Sequence, residues 1–124
     1  MKKAALAAHL ADEKKAENIQ LIDVRGICNF ADMFLVCTGN NRIHINAIND
    51  SIADGLRQLG MKYPKENAEL TTTWVVLDAG DVVAHVMTQE SRDFYRLEKL
   101  WGDGKPVDWE QILADNPDLA KSIK

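Results

Sequence analysis

Apolar residues follow two patterns along the chain, short unbroken runs and stripes that recur every three or four positions. The clearest run, Met33–Thr38, has the length of a strand, and an unbroken run of this kind predicts a central strand that is covered on both faces. Residues 19–24 are β-branched and partly alternating, which predicts an earlier strand that Gly26 ends. The first part of the chain is therefore expected to contain two strands, the second of them central.

Two helices are predicted around these strands. Residues 2–17 are rich in Ala, Leu, Lys and Glu, which favour helices, and Asn18 marks the expected end. Residues 39–41 (Gly-Asn-Asn) offer a cap for the clearest helix, which Gly60 ends. The apolar stripe of that helix consists of Ile45, Ile48, Ile52, Leu56 and Leu59. Residues 61–70 are polar and contain Pro64, so we expect little regular structure there.

Two further β-rich runs, residues 71–77 and 82–87, are joined by Asp-Ala-Gly-Asp at positions 78–81. A glycine in so short a link predicts a β-hairpin, because tight turns need positive φ. Thr88 can cap the next helix, which Gly102 is expected to end. The apolar stripe of this last helix consists of Phe94, Leu97, Leu100 and Trp101.

The order of these elements predicts an α/β fold in which helices flank a small mixed β-sheet. We expect one domain over residues 1–103. Residues 104–124 contain a Gly/Pro loop, a short apolar patch around Trp109 and a polar tail. They are therefore expected to form a C-terminal extension that is partly mobile.

Composition and charge limit the classes of partner. Of the 124 residues, 46% are hydrophobic and 27% are charged, which is the balance of an ordinary globular domain. The net charge of -4 opposes binding through phosphates, so we expect no direct nucleic-acid readout. No apolar stretch approaches the roughly 18 residues of a membrane helix, so no membrane partner is expected. Cys28 and Cys37 form no redox or metal motif, which favours free thiols in the cytoplasm, with Cys37 buried and inert.

Few residues show a pattern that is typical of catalysis or metal binding. Asp78 and Asp81 flank the predicted turn and could hold a metal or act as an acid/base pair, but turn chemistry is the favoured interpretation. The histidines His9, His44 and His85 lack ligand spacing, and a structural role is favoured for His85 over that of a general base. We therefore expect no catalytic residue, no metal and no cofactor.

The segment from Asp78 to Asp103 combines acidic and aromatic residues. It contains six acids and three bases, so most of the net negative charge is local. Its last helix has more apolar residues than a short helix needs to cover one side of a small sheet. These residues are either part of the core or, within an acidic rim, a docking face for a basic protein.

Three blocks of sequence together resemble a known family. They are residues 30–40 (FADMFLVCTGN), 74–86 (WVVLDAGDVVAHV) and 94–103 (FYRLEKLWGD), and positions 42, 44, 47 and 48 (Arg, His, Ala, Ile) extend the match. In this order and spacing the chain resembles the Iojap family, the ribosomal silencing factors, from about the first helix to Asp103. It departs from the family at Ala79, where an aromatic residue is usual, and around positions 41 and 42, where serines are usual.

The resemblance implies a nucleotidyltransferase-like topology without the catalytic site. It also implies a translational repressor, not an enzyme, that binds the large ribosomal subunit through its ribosomal protein fourteen and sterically blocks joining of the small subunit. A weak homodimer is expected as well. The alternative is a metal-dependent nucleotidyltransferase-like enzyme that uses Asp78 and Asp81. We expect partner-binding residues in the hairpin and the last helix, namely Trp74, Asp78, Asp81, Val83, His85, Phe94, Tyr95, Leu97, Leu100 and Trp101.

Overall fold

The computed structural model describes residues 2–27, 31–58, 68–71, 73–95 and 104–121. Within these ranges the helices are α1 Lys2–Glu13, α2 Arg42–Gln58, α3 Gln89–Tyr95, α4 Trp109–Asp115 and α5 Asp118–Lys121. The strands are β1 Glu17–Asp23, β2 Met33–Thr38, β3 Ala68–Thr71, β4 Trp74–Asp78, β5 Val82–Met87 and β6 Lys105–Val107. The bounds of β2 and β5 agree with those predicted from the apolar runs.

The described strands form a six-stranded mixed sheet in the order β3-β4-β5-β2-β1-β6. β2 and β5 are parallel and central, with Leu35 opposite Ala84, and the other neighbouring strands are antiparallel. Every side chain of β2 and β5 is buried, as is typical of parallel strands that are covered on both faces. The predicted small mixed sheet, its flanking helices and the central position of β2 are confirmed.

α1 and α2 cover one face of the sheet. Leu35 and Cys37 of β2 point to this face and belong to the same buried cluster as Ile45 and Ile52 of α2. Burial raises the pKa of the Cys37 thiol to about 12, so the reactive thiolate is not formed near neutral pH. The prediction of a buried, inert thiol at this position is confirmed.

The opposite face of the sheet, called the second face below, carries the alternate residues of the same strands. It forms a separate apolar cluster against which Trp74 and Val76 of β4 pack with part of their surface exposed. The buried members of this cluster are Ile22, Val24, Ala31, Phe34, Val36, Val83 and Met87.

The middle of α1, from Ala4 to Ala8, is buried on all sides. None of its alanines at positions 4, 5, 7, 8 and 11 is more than 1% exposed, because the sheet, α2, α4 and α5 all pack against this helix. Gly55 leaves room for Leu10 where α1 and α2 approach each other, because a Cβ at position 55 would displace the Leu10 side chain. A helical segment that is apolar on every face, as residues 4–8 are, belongs in the interior, and its small side chains allow the neighbouring elements to approach.

The predicted first helix is too long at its C-terminal end. α1 ends at Glu13, Lys15 has a left-handed backbone with φ of 61°, and β1 begins at Glu17. Asn18 also has positive φ, 53°, but it lies inside β1 instead of ending a helix. Local helix propensity at positions 16 and 17 is overridden because Glu17 pairs with Thr38 of the central strand.

Two strands were not identified from the sequence. β3 begins within residues 61–70, where little regular structure was expected, and it includes Thr71, which the sequence analysis placed in the following strand; that strand, β4, begins at Trp74. β3 pairs with β4 and β6 pairs with β1, so both form edges of the sheet. β6 accommodates Pro106, because an edge strand leaves one side of its backbone without a neighbouring strand. Strands of three or four residues are too short for alternation to be visible in the sequence.

The C-terminal extension is part of the packed structure over residues 104–121, whereas the sequence indicated only a loop, an apolar patch and a polar tail. Asp108 caps α4, and its Oδ1 accepts a hydrogen bond from the Gln111 amide at 3.1 Å. Trp109 and Leu119 pack against the cluster on the α1/α2 face. The extension therefore covers the outer side of α1. Its partial mobility stays a prediction.

Replacement of Asn49 by an apolar residue is expected to stabilise the fold. Asn49 is 1% exposed on α2, and within the described part of the chain neither Nδ2 nor Oδ1 has a hydrogen-bond partner. A buried amide without partners costs about 1–3 kcal/mol. We expect Asn49→Leu to raise the free energy of unfolding, measured in urea, by about 1 kcal/mol. Asn46→Leu, at an exposed position of the same helix, is the control for helix propensity. A decrease in stability for Asn49→Leu would contradict the interpretation.

Candidate docking surface

The β4–β5 turn uses both flanking aspartates for local structure. Oδ1 of Asp78 accepts a hydrogen bond from the Gly80 amide at 2.9 Å, and Gly80 has the positive φ, 86°, that the turn requires. Oδ1 of Asp81 lies 3.2 Å from Nζ of Lys3, which also donates to the carbonyl of Ala79. Turn chemistry is therefore confirmed for Asp78, and Asp81 joins the turn to α1.

The backbone of Asp81 adds a second attachment. Its carbonyl accepts hydrogen bonds from the amides of Asp32 and Met33, at 2.8 and 3.1 Å. Among the residues that the structure describes, no group of three or more His, Cys, Asp or Glu side chains could hold a metal ion. The two carboxylates of the alternative enzyme hypothesis thus take part in contacts that build the turn.

Trp74 and His85 form a hydrogen-bonded pair on the second face. Nε1 of Trp74 donates to Nδ1 of His85 at 3.2 Å, and the His85 ring meets Phe34 in a T-shaped contact with centroids 5.1 Å apart. His85 is 8% exposed, and burial lowers its pKa to about 4. The imidazole is therefore neutral near neutral pH, and Nδ1 remains an acceptor. The structural role favoured for His85 is confirmed: it orients Trp74.

α3 is attached to the strand that carries Trp74. Thr88 caps this helix, as predicted, because its Oγ1 accepts a hydrogen bond from the Ser91 amide at 3.2 Å. Oγ of Ser91 lies 2.6 Å from Oγ1 of Thr73, and the Thr88 amide donates to the Thr73 carbonyl at 3.1 Å. Since Thr73 precedes Trp74 directly, the start of β4 and α3 form one connected unit.

The solvent side of α3 is acidic and aromatic. Glu90 and Asp93 are exposed, and Phe94 has 78% of its surface exposed, which is unusual for a large apolar side chain. Nε2 of Gln89 donates to Oδ1 of Asp93 at 2.9 Å and holds that carboxylate on the helix. We call five of the partly or fully exposed residues of β4 and α3 the docking surface, namely Trp74, Val76, Glu90, Asp93 and Phe94.

The structure divides the predicted partner-binding residues into several groups. Val83 and His85 are 6% and 8% exposed, so most of each side chain lies beneath the surface of the second face, and their contact with a partner stays a prediction. Asp78 is half-buried in the turn, and Asp81 lies at the opposite end of β5 from α3. The side chain of Tyr95 and the residues Leu97, Leu100 and Trp101 lie outside the described part of the chain.

Arg92 is a site residue that the sequence analysis counted only as a charge. It is 1% exposed, and its guanidinium donates to Thr38 Oγ1 at 2.9 Å and to the Asn18 carbonyl at 2.7 Å. Nothing in the local sequence distinguishes it from Arg96, because the acceptors lie on strands more than fifty positions earlier.

The fold and the surface define the class of the protein: a small α/β domain in which an acidic helix with an exposed aromatic side chain follows a central parallel strand. No helix in the described ranges is long and apolar enough to cross a membrane. The family model for "Ribosomal silencing factor during starvation" matches residues 1–123. The chain belongs to this family.

Individual relatives agree with the family match. The chain is 36% identical to the ribosomal silencing factor RsfS of Halalkalibacterium halodurans, over 88% of this chain and 93% of that protein. It is 41% identical to RsfS of Bacillus subtilis, over 83% of this chain and 87% of that protein. A crystal structure of a Chromobacterium violaceum protein matches with a TM-score of 0.76 and 30% identity, covering 85% of this chain and 88% of that one. The resemblance that the three sequence blocks indicated is confirmed.

The buried imidazole of His85 predicts a loss of stability in acid. Its pKa falls from 6.5 to about 4 on folding, so the unfolded chain binds the proton more readily. The contribution of neutral His85 to the free energy of unfolding is complete above pH 6.5. As the pH falls toward 4, the free energy of unfolding decreases by on the order of 3 kcal/mol. Urea unfolding at several pH values measures it. His85→Gln keeps an acceptor for Trp74 but does not titrate, so its stability should fall less steeply over this range. An equal slope in both proteins would refute the assignment.

Proposed function

We propose that this protein is a translational repressor that binds the large ribosomal subunit through ribosomal protein fourteen and sterically blocks joining of the small subunit. The observation that carries the proposal is Phe94, 78% exposed on an acidic helix, in a chain of the ribosomal silencing factor family. Aromatic side chains commonly dominate protein interfaces, because they bury a large apolar area with few rotatable bonds. Phe94 is thus suited to be the anchor of the docking surface.

Charge supports a basic protein as the partner. Glu90 and Asp93 lie on the same exposed side of α3 as Phe94, and the whole chain has a net charge of -4. Proteins that bind ribosomal RNA neutralise its phosphates with Lys and Arg, so a basic ribosomal protein is complementary to this surface. Such complementarity accelerates the encounter and fixes the orientation of the complex. Direct nucleic-acid readout and membrane binding have no comparable support.

The proposed repression requires only that the protein occupies the site on the large subunit where the small subunit would dock. A folded domain bound where the small subunit would dock excludes that subunit by volume, without any reacting group. The engagement of Asp78 in the turn and of Asp81 with Lys3 supports a non-enzymatic role over the nucleotidyltransferase alternative. We place this activity in the cytoplasm, where ribosomal subunits join.

A weak homodimer is part of the same proposal. An exposed apolar side chain such as Phe94 suits a two-fold contact in the free protein, because each copy offers the same patch to the other. The dimer would use the docking surface, so it would compete with ribosome binding.

Phe94→Ser is expected to weaken binding to isolated large subunits at least tenfold, because truncation of a central aromatic side chain typically removes well over 1 kcal/mol. Co-sedimentation with large subunits measures the affinity. In light scattering, the wild-type protein should slow the association of purified large and small subunits, and Phe94→Ser should do so only at correspondingly higher concentration.

Ile43→Ser is the matched control. Ile43 is 82% exposed, but it lies on α2, which covers the opposite face of the sheet from the docking surface. This variant should bind and inhibit like the wild type. Equal losses in both variants, or none in Phe94→Ser, would reject the docking surface. Unchanged subunit association at saturating wild-type protein would reject the repressor function itself.

A further inference from the structure

We propose that Arg92 and a bulge at Asn18 form a latch that fixes α3 to the sheet and so determines the direction in which Phe94 meets its partner. This inference rests on the proposed docking function. It makes Arg92 and Asn18 positioning residues, since Arg92 is buried and Asn18 belongs to β1, outside the docking surface.

The guanidinium of Arg92 connects α3 to two strands. Nη1 donates to the Asn18 carbonyl at 2.7 Å and to Thr38 Oγ1 at 2.9 Å, and Nη2 lies 3.3 Å from Oε1 of Gln20. Arg92 is 1% exposed, and among the described residues it has the largest side chain that is fully buried. A buried cation is tolerated only when its donors are used, and the planar guanidinium reaches several acceptors at once. Its contacts therefore hold α3 against both β1 and β2.

The backbone of β1 is irregular at the point where it meets Arg92. Glu17 pairs with Thr38 and Gln20 pairs with Val36, so β1 has one more residue than β2 over this interval. Asn18 lies within this bulge with a left-handed φ of 53°. Asparagine adopts this conformation more readily than most residues, and a bulge redirects backbone groups away from the regular ladder. The bulge thus presents the Asn18 carbonyl to the guanidinium.

The latch matters for Phe94 because Arg92 and Phe94 both belong to α3, Gln89–Tyr95. Most of the stability of a helix in a protein comes from its tertiary contacts, so the contacts of Arg92 determine how α3 is held against the sheet. Arg92 and Phe94 are two positions apart, which on an α-helix is a rotation of about 200°, so one points inward when the other points outward. Fixing the Arg92 side chain therefore fixes the exposed direction of Phe94.

A pair of substitutions at Asn18 tests the latch in the free protein. Asn18→Gly and Asn18→Ala both remove the long contact of Asn18 Nδ2 with Gln89 Oε1, at 3.5 Å. Only alanine resists the left-handed backbone. We expect amide exchange in α3, at Arg92 for example, to be about fivefold or more faster in Asn18→Ala than in Asn18→Gly. Equal exchange rates in α3 in the two variants would overturn the latch.

The coupling between Arg92 and Phe94 tests the positioning role. In the wild-type background Phe94→Ser is expected to weaken large-subunit binding at least tenfold. In an Arg92→Met background the same substitution should have little further effect, because Phe94 no longer has a fixed direction. If Arg92 only stabilised the fold, Phe94→Ser would weaken the affinity of the folded Arg92→Met protein for large subunits by the same factor as in the wild type. That additive result would overturn the proposal.

The outcomes separate this inference from the proposed function. If Phe94→Ser binds large subunits like the wild type, the docking surface is rejected, while the Asn18 comparison still decides whether the latch exists. If Arg92→Met does not fold, the Asn18 pair supplies both readouts. In that case Asn18→Ala must bind large subunits more weakly than Asn18→Gly, and equal binding of the two variants overturns the positioning role just as equal exchange overturns the latch.

Discussion

Burial of the parallel strands β2 and β5 on both faces is the constraint on which the other features depend. Every residue of the two strands is buried, so each face of the sheet must be covered. α1 and α2 cover one face, and the cover of α1 is completed in turn by α4 and α5. The alanine-rich sequence of α1, the glycine at position 55 and the docked C-terminal extension all follow from this requirement.

The same parallel pairing brings the elements of the candidate site together. The carboxyl ends of two neighbouring parallel strands lie side by side. The Gly39 amide, just after β2, donates a hydrogen bond of 3.0 Å to the carbonyl of Met87 at the end of β5. α3 therefore begins beside the end of β2, where Thr38 accepts a hydrogen bond from Arg92. The antiparallel strand β1 begins beside the end of β2, which places the bulge in β1 within reach of the Arg92 guanidinium. Site and fold are thus consequences of one topology.

The sequence predicted the features that depend on local chemistry or on long periodic patterns. These include the bounds of β2 and β5, the Asp78 turn and the Thr88 cap. It did not predict β3 and β6, because edge strands of three or four residues have no visible period and form only when a neighbour offers its backbone. Asn18 was interpreted as the end of a helix, although its positive φ belongs to the bulge in β1.

Burial in the candidate site was the hardest property to predict. Residue type alone places Arg92 outside and Phe94 inside, yet Arg92 is 1% and Phe94 78% exposed. Arg92 can be buried because acceptors on two strands that are distant in sequence accept hydrogen bonds from its guanidinium. No sequence pattern near position 92 reveals these acceptors. Val83 and His85, in a block characteristic of the family, lie beneath the surface for the complementary reason that alternation directs them into the second face.

The central claim is that the exposed side of α3 contacts a protein of the large ribosomal subunit. Site-specific photocrosslinking tests it most directly, with a photoreactive phenylalanine analogue placed at position 94 and, separately, at position 43, each mixed with isolated large subunits. We expect a product between position 94 and ribosomal protein fourteen and none from position 43. A product from position 43 alone, or from position 94 to a different ribosomal component, would contradict it.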